Sequence, residues 1–271
     1  MKSEHKIPKI IHYCWFGRNP LPELAQKCIE SWKKYCPDYE IMEWNEDNFP
    51  LDFNDYVKEA YEAKKWAFVS DVARLYALVN YGGIYMDTDV EVLKPLDEFL
   101  SLDAFSGFES SGYIPTGIMA SKKEHPTFVE LLNDYNGVHF VKEDGTLDLT
   151  TNVIRITNVC LKYGLVLNGE RQTVAGFTFM PCDYFCPKDY NTKELHLTEN
   201  SYTIHHFDGS WLSEEVKYAK SLLQKYKKRK PKGLWYRVAY YKAASKYRGF
   251  FRGALHDLFK NLKAHFRRKK K

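Results

Sequence analysis

One stretch, residues 82–90, constrains the fold of this 271-residue chain more than any other. It reads Gly-Gly-Ile-Tyr-Met-Asp-Thr-Asp-Val, so two glycines precede a short β-branched and aromatic segment that ends in two acids. Apolar residues recur upstream at helical spacing, and Gly82 stands where a helix C-cap is expected. The apolar positions are Phe68, Val72, Leu75, Tyr76 and Val79. This order of helix, turn and strand is typical of an α/β sheet.

The two acids of this stretch form an Asp-Thr-Asp triplet. In an extended segment, Asp87 and Asp89 would project to the same side, roughly 7 Å apart at their α-carbons. Two such carboxylates can hold one hard divalent cation, Mn²⁺ or Mg²⁺, which prefers oxygen ligands and keeps positions open for substrate. A solvated turn after a strand is the alternative interpretation.

A second pair of charged residues lies on the preceding helix. Asp71 and Arg74 are three positions apart, so they share a helix face. The guanidinium suits phosphate or sugar oxygens, and the carboxylate can accept hydrogen bonds from hydroxyls. A structural salt bridge between the two is the alternative interpretation.

Three segments together resemble one known family. They are residues 7–17 (Ile-Pro-Lys-Ile-Ile-His-Tyr-Cys-Trp-Phe-Gly), residues 67–89 and residues 205–211 (His-His-Phe-Asp-Gly-Ser-Trp). The set resembles the DXD-containing glycosyltransferases that group with yeast mannosyltransferases, bacterial capsular polysaccharide glycosyltransferases and glycosylating-toxin catalytic domains. The resemblance covers about residues 7–212. It implies a GT-A fold, with a Rossmann-like mixed, mainly parallel sheet flanked by helices.

The resemblance also implies a reaction. A sugar would move from a nucleotide-sugar donor, UDP- or GDP-linked, to a hydroxyl of a glycan or lipid-linked acceptor, with retention of anomeric configuration. Mn²⁺ or Mg²⁺ would be held by Asp87, Asp89 and His206, while His205 would point away into the core. Asp71 and Arg74 would contact the donor sugar. The remaining contacts implied are Trp15 with the base, Tyr85 with a phosphate, and Ser210 and Trp211 with the diphosphate.

Trp15 and Tyr85 also have plain structural interpretations. Residues 7–16 read as a buried strand, followed by a helix through Trp32 and a second strand over residues 39–44. Ligands bind beyond the carboxyl ends of such strands, where Trp15 lies. Either aromatic residue could instead simply pack in the core.

Charge divides the chain into two parts. Residues 1–212 carry 20 Lys/Arg against 32 Asp/Glu, whereas residues 213–271 carry 20 against 3. We therefore predict a catalytic domain over 1–212 and a basic amphipathic helical tail over 213–271. Aromatic residues interleave with the cations of the tail, a pattern that favours an anionic membrane surface. Nucleic acid is the disfavoured partner, and a solvated tail is the third alternative.

The cysteines and the N-terminal sequence indicate the cellular compartment. The six cysteines show no zinc-binding spacing and are expected to be reduced thiols. No signal peptide or transmembrane run is recognised. The sequence thus predicts a cytoplasmic enzyme, peripherally attached to the inner face of the cell membrane and acting in cell-surface polysaccharide synthesis. A metal-dependent nucleotidyltransferase or phosphohydrolase, or a non-catalytic membrane- or nucleic-acid-binding protein, are the alternatives.

Overall fold

The computed structural model describes residues 6–109, 114, 117–190 and 192–209. Within these ranges the chain begins with a strand, a helix and a second strand and continues with further helices and short strands. The elements are β1 (Ile10–Cys14), α1 (Glu23–Tyr35), β2 (Glu40–Trp44), α2 (Asp55–Glu62), α3 (Trp66–Tyr81), β3 (Gly83–Met86), β4 (Val90–Val92), a 3₁₀ turn (Asp97–Phe99), β5 (Ala104–Gly107), β6 (Ile118–Ser121), α4 (Pro126–Asn133), α5 (Asn152–Lys162), β7 (Gln172–Val174), β8 (Phe177–Met180), α6 (Cys182–Phe185) and β9 (Thr203–His205).

Seven strands form the main sheet in the order β2-β1-β3-β6-β5-β8-β7. Strand β1 pairs in parallel with β2 and β3, and β5 pairs in parallel with β8. The β3–β6, β5–β6 and β7–β8 pairs are antiparallel. The predicted class, a Rossmann-like mixed α/β sheet flanked by helices, is confirmed.

Both faces of the sheet are covered, and β3 shows this most directly. Tyr85 packs in a core cluster with the apolar stripe of α3, whereas Ile84 packs in a second cluster with Trp32 of α1. Alternate side chains of a strand point to opposite faces, so a strand buried on both faces has a continuous apolar sequence. This explains the unbroken apolar character of the Gly-Ile-Tyr-Met segment.

The two glycines before β3 turn the chain sharply from α3 into the sheet. Gly82 has φ +68° and its N–H donates to Leu78 O, which ends α3. Gly83 has φ +108°, and a Cβ on it would lie 2.6 Å from Ile10 O. Other residues would therefore be strained and would clash, and the predicted glycine C-cap is confirmed.

A smaller antiparallel sheet joins distant parts of the chain. Strand β4 pairs with β9, and Val90 lies opposite His205. Strand β4 covers only Val90–Val92 and pairs outside the main sheet. This pairing brings the end of the acidic triplet next to the two histidines.

The described residues contain no membrane-spanning helix, and they end at residue 209. None of their helices combines the length and the apolar character needed to cross a bilayer. Residues 210–271 lie outside the described ranges, so the predicted domain boundary at 212 and the basic tail stay predictions.

Candidate functional site

The acidic triplet lies in a turn at the end of β3. Strand β3 ends at Met86, Thr88 and Asp89 form a turn, and the Val90 N–H donates to Asp87 O (3.0 Å). The Asp87 N–H donates to Gly117 O (2.8 Å), which anchors the start of the turn to the residue immediately before β6. The prediction of an extended triplet is therefore wrong, because the chain reverses here between two different sheets.

The turn brings both acids together with a histidine from β9. Asp87, Asp89 and His205 each offer one ligand atom, and these atoms all lie within 4.8 Å of one another. Nε2 of His205 lies 3.3 Å from Oδ1 of Asp89. The structure therefore brings the two acids of the triplet together with a histidine from far along the chain.

The histidine in this cluster is His205, and the prediction of His206 was wrong. Nε2 of His206 lies 2.8 Å from Oε2 of Glu91 instead. The two imidazoles point in different directions, as alternation along a strand requires, but the pairing of β9 with β4 reverses the expected assignment. Sequence periodicity could not have identified His205, since either histidine satisfies the same alternation.

The donor set suits a divalent cation. In an octahedral ion with bond lengths of about 2.1 Å, ligand atoms lie about 3 to 4 Å apart, so three atoms within 4.8 Å of one another can reach one ion after small side-chain shifts. Two carboxylates and one imidazole are ordinary ligands of such ions. Asp89 is also held in place, because Asp208 N–H donates to its Oδ2 (2.8 Å) and His206 N–H to its backbone oxygen (2.9 Å).

The site pairs opposite charges. Burial raises the pKa of Asp89, but the charge and hydrogen bond of His205 and the Asp208 N–H outweigh it and lower that pKa to about 2. Burial lowers the pKa of His205, yet the charge of Asp89 raises it well above its usual value. An imidazolium and a carboxylate therefore face each other, and a bound cation must displace the imidazolium proton.

Arg74 connects α3 to the acidic triplet. Its Nη2 lies 3.1 Å from Oδ1 of Asp71 and 3.3 Å from Oδ1 of Asp87. Asp71 is 9% exposed and Arg74 5%, so the salt bridge that the sequence left as an alternative is present and buried. The guanidinium carbon lies 4.5 Å from the ring centroid of Tyr85. Arg74 thus ties the helix, the strand and the first acid of the triplet together.

Burial and charge act against each other in this pair. Burial raises the pKa of Asp71 to about 7, although the Arg74 charge lowers it. Burial lowers the pKa of Arg74, but Asp87, Tyr85 and Asp71 raise it above the usual value, so the guanidinium stays charged. The arrangement holds one permanent cation beside the acids.

Of the other residues predicted to contact the donor, the structure describes Tyr85 and Trp15. Tyr85 is buried and its hydroxyl donates to Oδ1 of Asp87 (2.8 Å), so this hydroxyl is engaged within the protein. Trp15 follows β1 directly, is partly buried, and its Nε1 donates to Asn19 O (2.6 Å). Stacking of Trp15 on a base stays a prediction. Ser210 and Trp211 lie outside the described residues.

Part of the sequence is similar to a known family and to characterised proteins. Residues 22–106 match the model of the glycosyltransferase sugar-binding region containing the DXD motif. An inositol phosphoceramide mannosyltransferase of Schizosaccharomyces pombe is 32% identical over 140 residues, which cover 47% of this chain and 37% of that protein. A mannosyl phosphorylinositol ceramide synthase of Saccharomyces cerevisiae is 29% identical over 138 residues, covering 46% and 34%. The chain thus spans less than half the length of these relatives.

Solved glycosyltransferase structures are similar at a coarser level. The PaToxG glycosyltransferase aligns with a TM-score of 0.44 and 20% identity, over 58% of this chain and 68% of that one. A glycosyltransferase involved in the glycosylation of the major capsid of PBCV-1 aligns with a TM-score of 0.42 and 14% identity, over 75% and 95%.

Proposed function

We propose, from the match of residues 22–106 to the glycosyltransferase sugar-binding region that contains the DXD motif, that this chain is a metal-dependent hexosyltransferase. It transfers a sugar from a nucleotide-sugar donor to a hydroxyl of a glycan or lipid-linked acceptor. The observation that carries this proposal is the convergence of Asp87, Asp89 and His205 within 4.8 Å.

Asp87, Asp89 and His205 would hold the cation, and the donor set favours Mn²⁺ over Mg²⁺. Mg²⁺ binds mostly through oxygen and keeps its waters, whereas an imidazole nitrogen is a better ligand for transition metals. Such an ion, when bound, acts as a Lewis acid that neutralises negative charge on a departing diphosphate. The three protein ligands leave further coordination positions for phosphate oxygens.

Arg74 and Asp71 complete the proposed donor site. Asp87, which would hold the cation, also contacts Arg74 at 3.3 Å, so the guanidinium is held close to the departing charge. Charge held in advance at the point where it is needed stabilises a transition state without reorganisation. Tyr85 orients Asp87 through its hydroxyl, and this is its proposed role in place of a direct phosphate contact.

The remaining parts of the proposal rest on the sequence and on the relatives. The two relatives named above are by name an inositol phosphoceramide mannosyltransferase and a mannosyl phosphorylinositol ceramide synthase, and these names support a lipid-linked acceptor. The excess of cations over residues 213–271 supports attachment to an anionic, cytoplasmic membrane face. Retention of configuration and a place in cell-surface polysaccharide synthesis follow from the family resemblance. Fractionation of lysates tests the membrane part, since the tail-deleted protein is expected in the soluble fraction.

A nucleotide-sugar panel tests the proposed reaction. The full chain is incubated with Mn²⁺ and UDP-Gal, UDP-Glc, UDP-GlcNAc or GDP-Man, and slow hydrolysis of the donor is followed. One donor is expected to be hydrolysed by the parent and by Asp52→Asn, an exposed control, but far more slowly by Asp89→Asn. Equal rates for Asp89→Asn and the parent would refute the metal assignment. Hydrolysis of nucleoside triphosphates in place of nucleotide sugars would favour the phosphohydrolase alternative.

A further inference from the structure

The imidazole of His205 is enclosed by two residues that hold no charge. The Phe207 ring lies over it, with 4.1 Å between ring centroids and 32° between planes. The α-carbon of Gly117 lies against its other nitrogen, since a Cβ there would sit 2.7 Å from Nδ1 and 2.9 Å from Cε1. Nε2 lies 3.3 Å from Oδ1 of Asp89. The ring is therefore contacted at Nε2 by Asp89, at Nδ1 by Gly117 and on one face by Phe207. We call Gly117 and Phe207 the imidazole slot.

Glycine is needed at position 117 for space and not for backbone conformation. Gly117 is absent from the described glycines with positive φ, so other residues could adopt its backbone. Any side chain, however, would overlap the His205 ring. The backbone cannot retreat freely, because Gly117 O accepts the hydrogen bond from the Asp87 N–H. A larger residue would therefore displace either the imidazole or the first acid of the triplet.

Phe207 shows the opposite situation. Its φ of +56° is in the left-handed region, which bulky residues rarely occupy and which glycine or asparagine adopts more easily. This conformation turns the chain so that Asp208 N–H reaches Oδ2 of Asp89. Strained residues of this kind cluster at functional sites. A phenylalanine at such a position is explained by its ring, which packs on His205.

A neighbouring segment holds Phe207 from another direction. The ring of Tyr190 meets the Phe207 ring at 5.2 Å and 82°, an edge-to-face contact. Lys193 Nζ donates to Phe207 O (3.2 Å). The left-handed residue is thus fixed by contacts with two side chains in addition to its own packing on the imidazole.

We infer that Gly117 and Phe207 are positioning residues that hold the His205 imidazole with Nε2 directed at the two acids before any ion arrives. This rests on the proposed cation site. Groups that orient a metal-ligating histidine typically change metal affinity about 10- to 100-fold when altered. The imidazole slot would supply this orientation through shape, alongside the thiol of Cys186, which also interacts with the imidazole.

Mn²⁺ binding to the full chain tests Gly117. The affinity is measured by titration, and pulsed EPR detects the nitrogen of a coordinated imidazole. Gly117→Ala is expected to weaken binding about 10- to 100-fold and to lose the nitrogen coupling. Gly137→Ala is the control, because a Cβ at Gly137 meets nothing within 4 Å while its φ of +72° makes alanine strained. The control is expected to lose stability but keep both the affinity and the nitrogen coupling.

Two variants test Phe207 independently. Phe207→Tyr keeps the ring and is expected to bind Mn²⁺ as the parent does. Phe207→Gly suits the left-handed backbone but removes the ring, so weaker binding is expected even though the backbone strain is relieved. Parent-like affinity and nitrogen coupling in both Phe207→Gly and Gly117→Ala would overturn the inference. A parent that binds Mn²⁺ without nitrogen coupling would instead refute the cation site itself, and the inference with it.

Discussion

The Tyr85 hydroxyl donates a 2.8 Å hydrogen bond to Oδ1 of Asp87, the carboxylate oxygen that also lies 3.3 Å from Nη2 of Arg74. One contact comes from the middle of α3 and the other from β3. They fix Asp87 at the point where the chain leaves the main sheet. The first acid of the triplet is therefore oriented by the strand and helix that precede it.

Tyr85→Phe is expected to weaken Mn²⁺ binding and donor hydrolysis. A hydrogen bond to a charged group contributes about 1.5–3 kcal/mol, so a loss of about tenfold or more is expected. Titration with Mn²⁺ and the rate of donor hydrolysis measure it. Tyr76→Phe, on α3 with its ring packed in the same core, is the matched control and should leave both values unchanged. A parent-like Tyr85→Phe would show that Arg74 alone orients Asp87.

The two adjacent histidines are expected to differ in their effect on metal binding. His205→Gln removes a proposed ligand and should reduce Mn²⁺ affinity strongly, whereas His206→Gln loses only its contact with Glu91 and should bind nearly as the parent.

The number of protons released on Mn²⁺ binding is a second readout, measured by calorimetry in buffers of different ionisation enthalpy. The parent should release about one proton per Mn²⁺ near neutral pH, because the raised pKa of His205 keeps its imidazole protonated until the ion binds. If His206→Gln is the more damaging variant, the assignment of the ligand is reversed.

Removing the buried cation should destabilise the fold. Arg74→Met leaves Asp71 and Asp87 without their shared partner, and the loss is at most about 3–5 kcal/mol, because Asp71 can take up a proton in place of its charge partner. Adding Asp71→Asn should restore part of that loss, since one of the two unpaired charges is then absent. Urea denaturation of the parent, both single variants and the double variant measures the coupling. Strictly additive effects would mean that Asp71 and Arg74 do not stabilise each other.

His12 should make the stability of the protein fall in mild acid. It is fully buried in β1, where Nδ1 accepts from Trp44 Nε1–H (3.1 Å) and Nε2 therefore donates to Gly82 O (2.7 Å). Burial lowers its pKa to about 4, although the bond to Gly82 raises it. The unfolded chain then binds the proton first, so stability is fully present above about pH 6.5 and is lost as the pH falls towards 4.

The expected decrease in the free energy of unfolding between pH 8 and pH 5 is about 2 kcal/mol from this residue. Urea denaturation at the two pH values measures it. His12→Gln should show a smaller decrease than the parent, while exposed His196→Gln should match the parent. An identical pH dependence in His12→Gln and the parent would contradict this prediction.

Much of the fold follows from local patterns. The apolar spacing over residues 68–79 predicted α3, and the glycine pair marked the turn into β3. Asp71 and Arg74 could be paired from their spacing of three, because helix geometry alone brings such residues together. The conformation of the acidic triplet could not be predicted from local pattern. Its residues are not extended, because the chain passes from one sheet to another between β3 and β4.

The sequence by itself determined that two neighbouring histidines point in different directions and that the acids follow a buried strand, because these depend on the geometry of adjacent residues. Only the tertiary structure decided that His205 and not His206 meets Asp89. That choice depends on the register of β9 against β4, where Val90 lies opposite His205. A shift of one residue would exchange the two imidazoles, and contacts between residues more than one hundred positions apart set this register.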